Sequence, residues 1–167
     1  MAQAGGRVSG GGTLSGWEIL LRTLNVIGAA LVVGGAVLIH FSVVPIFRDW
    51  AAELSWKLHK EFVIVNPDRY IKPSAAISLG AAIVALIVDD HPTSTLVLTI
   101  VGIASFAGVA VISEVINQPI NRTIGRAEAV PSEYAALRRR WDRANLVRTS
   151  IAVVGLVCYV VAALEAA

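Results

Sequence analysis

Four apolar stretches, each close to the length a helix needs to cross a bilayer core, dominate what this chain can fold into. They run from about Thr23 to Phe47, Tyr70 to Val88, Thr93 to Ile116 and Asn145 to Leu164. Hydrocarbon offers no hydrogen-bond partners, so each stretch must satisfy its own backbone as an α-helix. The expected fold is all-α, a transmembrane four-helix bundle. Composition points the same way. Apolar residues make up 56% of the chain and charged residues 16%, against roughly 25% charged in ordinary soluble domains. Mean hydropathy is +0.70. Residues 1–16 are rich in Gly, Ser and Ala without apolar periodicity and read as a disordered tail, leaving 17–167 as one membrane domain. The first apolar run is too long, and lacks the closing cleavage site, for a signal peptide.

The connectors differ in kind. Asp89-Asp90-His91-Pro92 predicts a tight turn, with spans two and three as antiparallel neighbours. The first connector, Arg48 to Arg69, carries Trp50, Leu54, Leu58 and Phe62 at four-residue spacing. That pattern predicts a short amphipathic helix at the interface, closed by Asn66-Pro67. In the third connector, Pro131-Ser132-Glu133 is a helix-start signal, and the helix that follows runs through Arg143 into the fourth span. The pairs Ala30/Gly34, Ala76/Gly80 and Ala104/Gly108 have the spacing that lets membrane helices approach closely.

Charge sets the expected orientation. Of 14 Lys and Arg residues, all but Arg7 and Arg22 lie in or beside the first and third connectors. The excess of cytoplasmic basic residues in membrane proteins then places both long connectors in the cytoplasm and both termini outside, in a plasma membrane of bacterial type. The net charge of +2 is too small to suggest nucleic acid as a partner. The expected partners are the bilayer, an apolar small molecule and, as an open option, a second copy of the chain. The lone Cys158 excludes an intrachain disulfide and a cysteine metal cluster.

Ionisable groups inside membrane spans are costly, which makes them functional candidates. His40 closes span one, Glu114 closes span three, Asn145 and Arg148 open span four, and Asn66 and Lys72 open span two. Antiparallel helices bring all of these to one membrane face. Glu114, Asn117 and Asn121 follow helical spacing on one side of a helix, as do Trp141, Asn145 and Arg148. The two stripes are expected to face one another, either as a site or as a structural network with Glu114 and Arg148 paired. Pro45 and Pro119 are expected to interrupt their helices here. His59 and Glu61 fall opposite the apolar stripe of the amphipathic connector and read as solvated. A metal would draw on His40, His59, Glu61 and Glu114, a His/carboxylate set.

Taken in order, Phe41-Ser42-Val43-Val44-Pro45, Asn66-Pro67, Asn117-Gln118-Pro119-Ile120-Asn121 and Trp141-x-x-x-Asn145-x-x-Arg148-Thr149 resemble the anthrone-oxygenase-like family of small four-helix membrane proteins. The resemblance spans about Leu20 to Leu164. It implies O₂-dependent oxidation of an anthrone to an anthraquinone, chemistry that a carbanion can undergo without a cofactor. Glu114 and His40 stand outside the family's pattern. On this reading His40 or Glu114 is the base, and Arg148, Asn117 and Asn145 hold the oxyanion, with Asn121 and Trp141 also against the substrate. The alternative is a non-enzymatic accessory subunit or lipophile-binding protein.

Overall fold

The computed structural model describes residues 14–64, 68–88 and 92–165. Most of the expected tail, the Asn66-Pro67 pair and Asp89 to His91 of the expected tight turn lie outside the described residues. Helix α1 is Gly16–Asp49; α2 is Ala52–Leu58, continued by a π turn at His59–Val63; α3 is Asp68–Val88; α4 is Thr93–Arg126; α5 is Tyr134–Glu165. The four long helices are all apolar and long enough to cross a membrane, and the fold is an all-α membrane bundle.

Local chemistry sets the helix ends. Ser15 and Glu18 form a reciprocal capping box that opens α1, an S-x-x-E pattern present in the sequence. At the other end of α1 the Phe47 carbonyl accepts from Ser55 Oγ at 3.2 Å and from the Arg138 guanidinium, and the Trp50 carbonyl accepts from Ser55 Oγ at 3.3 Å. Lys60 Nζ donates to the Ala127 carbonyl, at 2.8 Å, just past α4. These bonds satisfy carbonyls that a helix terminus leaves open.

The helices are longer than a bilayer requires. α1 and α4 each have 34 residues, about 50 Å at 1.5 Å per residue, against a hydrocarbon core of about 30 Å. The surplus gathers at the connector end, where Phe47, Trp56, Ile120, Ile124, Tyr134 and Trp141 form one core. A second core, with Ala29, Val32, Ala82, Phe106, Ala152 and Tyr159, fills the middle of the bundle.

α1 packs against α3 and α5, and α4 against α5; α3 and α4 touch only lightly. The strong seams form where a missing side chain lets backbones meet. A Cβ on Gly28 would stand 2.7 Å from the Ser74 carbonyl oxygen, and one on Gly155 would stand 2.9 Å from Ser105 Cβ. The expected small-residue pairs do not make these seams. Ala30, Gly34, Ala76, Gly80 and Ala104 face outward, and a Cβ on Gly34 or Gly80 would meet nothing within 4 Å. Spacing by four puts two residues on one face without saying which face is inward, and both faces of a membrane helix are apolar. Outward positions carry Leu24, Ile27, Leu31 and Leu38, while Asn25, Ser78, Thr95 and Thr99 are buried inside.

The two prolines do not break their helices. α1 and α4 pass through Pro45 and Pro119 by widening into π turns at Ile39–Val43 and Ser113–Asn117. There the Val44 N–H bonds the Ile39 carbonyl, and the Gln118 N–H bonds the Ser113 carbonyl, each one residue further back than in an α-helix. Proline has no N–H and its ring crowds the carbonyl four residues earlier; a wider turn relieves both problems.

Candidate functional site

A chamber of about 160 Å³, open at an edge lined by the exposed Lys72, Ala110 and Glu114, lies at the junction of the two cores. Val32 and Phe106 wall it from the mid-bundle core, and Ile39, Val63 and Trp141 from the connector-end core. All three π turns contribute to it: Ile39 from α1, Val63 from α2, and Ser113, Glu114 and Asn117 from α4. Turns of this kind recur at functional sites because the extra residue opens a helix without ending it.

The polar wall comes from α4 and α5. Asn117 is 2% exposed, and neither its amide nitrogen nor its amide oxygen has a partner among the described residues. Arg148 Nε donates to Asn145 Oδ1 at 3.0 Å and its Nη1 to Ser113 Oγ at 3.3 Å, and its guanidinium carbon stands 6.0 Å from the centre of the Trp141 ring. Asn145 is fully buried behind the arginine and does not itself line the chamber. Lys72, Glu114 and Gln118 complete the polar edge. Glu114 and Asn117 both lie within a π turn and both line the chamber, Asn117 buried and Glu114 exposed at its edge.

His40 is not on the chamber wall. It is half-buried, lies edge-on to Phe41, and its Nδ1 is buried without a partner. Nor do His40, His59, Glu61 and Glu114 come together: among the described residues no three His, Cys, Asp or Glu side chains form a metal-holding group. The carboxylates at Glu61 and Glu114 are exposed, on separate helices.

His59 departs furthest from its sequence reading. It is not solvated but fully buried, stacked on Phe47 with ring centres 5.2 Å apart and edge-on to Trp141 at 5.0 Å. Its Nε2 lies 3.4 Å from Asn121 Oδ1, an acceptor only, so Nε2 carries the proton and Nδ1 is left buried without a partner. Burial, partly offset by the Asn121 bond, lowers its pKa from 6.5 to about 4, so the ring is neutral at pH 7. The apolar stripe of α2 faces outward, as the apolar side of an interfacial helix does: Trp50, Leu54 and Phe62 are exposed, while Ser55, Trp56, His59 and Val63 are buried. Beside lipid, an apolar stripe marks the outside. The buried set has its own helical spacing at 56, 59 and 63, and that was the available signal. Asp142 was also missed. It is buried within electrostatic reach of Arg138, Arg48 and His40, and its place next to Trp141 was the only hint.

Fold and chamber together define a four-helix membrane bundle with an interior cavity bounded by both apolar and polar side chains. The anthrone oxygenase family model matches residues 62–158, more than half of the chain, and the chain belongs to that family. The matched region holds Glu114, Asn117, Asn121, Trp141, Asn145 and Arg148; His40 and His59 precede it. Comparison with curated proteins and with solved structures finds no match.

Proposed function

We propose that the chain is a membrane-embedded oxygenase that oxidises an apolar aromatic, anthrone- or phenol-like, with O₂. The observation that carries this is the buried Asn117 amide, unpartnered among the described residues, on the same polar wall as the Arg148 guanidinium in a chamber whose other walls are apolar. Such a wall can hold an oxygen anion with its donors already in place, which is where electrostatic stabilisation acts most strongly. Glu114, at the polar edge, is the base that takes the substrate proton. Arg148 and Asn117 then hold the charge that develops on the substrate oxygen. Asn145 aims Arg148, Trp141 flanks the ring, and Asn121 joins the chamber to His59. His40, behind the wall, is left out of the proton transfer. With an anthrone, one O₂ turns the ring methylene into a carbonyl and releases one water; with a hydroquinone, the ring gives up two electrons and two protons to O₂, yielding a quinone and hydrogen peroxide. The chamber end faces the cytoplasm and both termini face outward, as the distribution of Lys and Arg supports.

The test is O₂ uptake by purified protein with an anthrone and with a series of phenols. Wild type consumes O₂, and Glu114→Gln lowers kcat by about 10²–10⁴, the usual worth of a positioned base. No uptake with any of these substrates would overturn the reading in favour of an accessory, lipophile-binding protein.

A further inference from the structure

We infer that the chamber is built for a single aromatic ring bearing a hydroxyl, a phenol or hydroquinone, and that three fused rings do not enter it; the inference rests on the reading above that this chamber is the substrate site. Volume is the first argument. The chamber measures about 160 Å³. An apolar cavity of about 150 Å³ takes up one benzene ring, and drug-sized ligands occupy roughly 300–1,000 Å³.

The walls are the second argument, because they are not free to retreat. Ile39 is 3% exposed and belongs to the connector-end core. Phe106 belongs to the mid-bundle core, where its ring stacks on Tyr159 with centres 5.6 Å apart. Admitting two further rings requires moving both cores at once, and close-packed interiors resist that.

The polar groups are the third. Asn117 offers one donor and one acceptor, both unpartnered and both buried. A hydroxyl gives one hydrogen bond and accepts another, so it answers both atoms. A bare hydrocarbon leaves them unsatisfied. Once the hydroxyl loses its proton, Arg148 stands on the same wall.

The experiment is equilibrium binding to full-length protein in nanodiscs, against empty nanodiscs, without O₂ so that turnover cannot intervene. Phenol, hydroquinone, toluene and anthrone are compared. Wild type is expected to bind phenol and hydroquinone at least tenfold more tightly than toluene or anthrone. Asn117→Leu removes the preference for phenol over toluene. Val109 also lines the chamber, and Val109→Phe, which fills it, abolishes phenol binding while the protein still melts cooperatively. Phe106→Ala raises anthrone affinity towards that of phenol. Anthrone binding to wild type as tightly as phenol overturns the inference, as does phenol binding that Val109→Phe leaves intact. Selective phenol binding without O₂ uptake supports the size inference and overturns the oxygenase reading, so the two fail separately.

Discussion

Around Gly28 and Gly155 the helices approach until no Cβ fits between them, whereas around Asn117 and Trp141 the same helices spread to leave about 160 Å³. The mid-bundle core is made of small residues and two stacked rings; Asn25 Nδ2 donates to the Ser78 carbonyl at 3.3 Å, while Asn25 Oδ1, Ser78 Oγ and the Tyr159 hydroxyl are buried without a partner among the described residues. The connector-end core is made of large rings on helices that widen three times, and it leaves Asn117, the Asn145 amide nitrogen and Trp141 Nε1 without partners. A buried polar group without a partner costs about 1–3 kcal/mol. Unpartnered polar groups occur in both regions; what sets the second apart is the space of about 160 Å³ beside them, where the first has backbone in close contact. Space for a ligand comes here from helix geometry and not from loops.

The largest effect that would sharpen this contrast is on turnover. Arg148→Gln, at the open end, should lower kcat by about 10²–10³, the usual loss when one donor to a developing oxyanion is removed. Asn25→Ala, at the packed end, should lower stability and leave kcat unchanged. Equal losses of kcat from the two variants would remove the functional distinction between the regions.

Acid should act next most strongly, and through the connector end. Folded His59 takes up a proton only near pH 4, while the unfolded chain does so near 6.5. Between those values the unfolded state binds more protons, so stability falls as pH drops through this window and is fully present above it. The loss should approach about 3 kcal/mol by pH 4. Denaturant melts in detergent from pH 8 to 4 measure it, and His59→Phe should flatten the curve. An unchanged slope in that variant would place the acid sensitivity elsewhere.

Smaller effects separate inward from outward glycines. Gly28→Val should destabilise by about 1–3 kcal/mol, as overpacking does. Gly80→Ala, where a Cβ meets nothing within 4 Å, should be neutral or stabilising by up to about 1 kcal/mol, as in any helix interior. Thermal melts that rank these two variants the other way would show that the Gly28 seam is not what holds α1 to α3.

Much of the fold was legible. The four spans, and the helix that runs from the third connector into the fourth span, follow from apolar length and one start signal. The polar residues near one membrane face were legible too, because charge is rare in such spans: Glu114, Asn117, Asn121, Trp141 and Arg148 all line the chamber. The failures share a cause. The pairs at Ala30/Gly34 and Ala76/Gly80 were read as faces of close helix approach, and His59 was read as solvated because it lies off the apolar stripe of Leu54 and Phe62. In lipid the outer face is apolar as well, so periodicity marks a face but not its direction.

The number, length and helical character of the spans are settled by the sequence alone, since a backbone in hydrocarbon has few ways to satisfy its hydrogen bonds. The burial of His59, the exposure of Glu114 at the chamber edge and the size of the chamber are not. They depend on which helices lie side by side and on how three π turns rotate the residues within them. Regular α-helical spacing predicts no such rotation. Only the packed bundle decides which polar side chains face the cavity and which face the lipid.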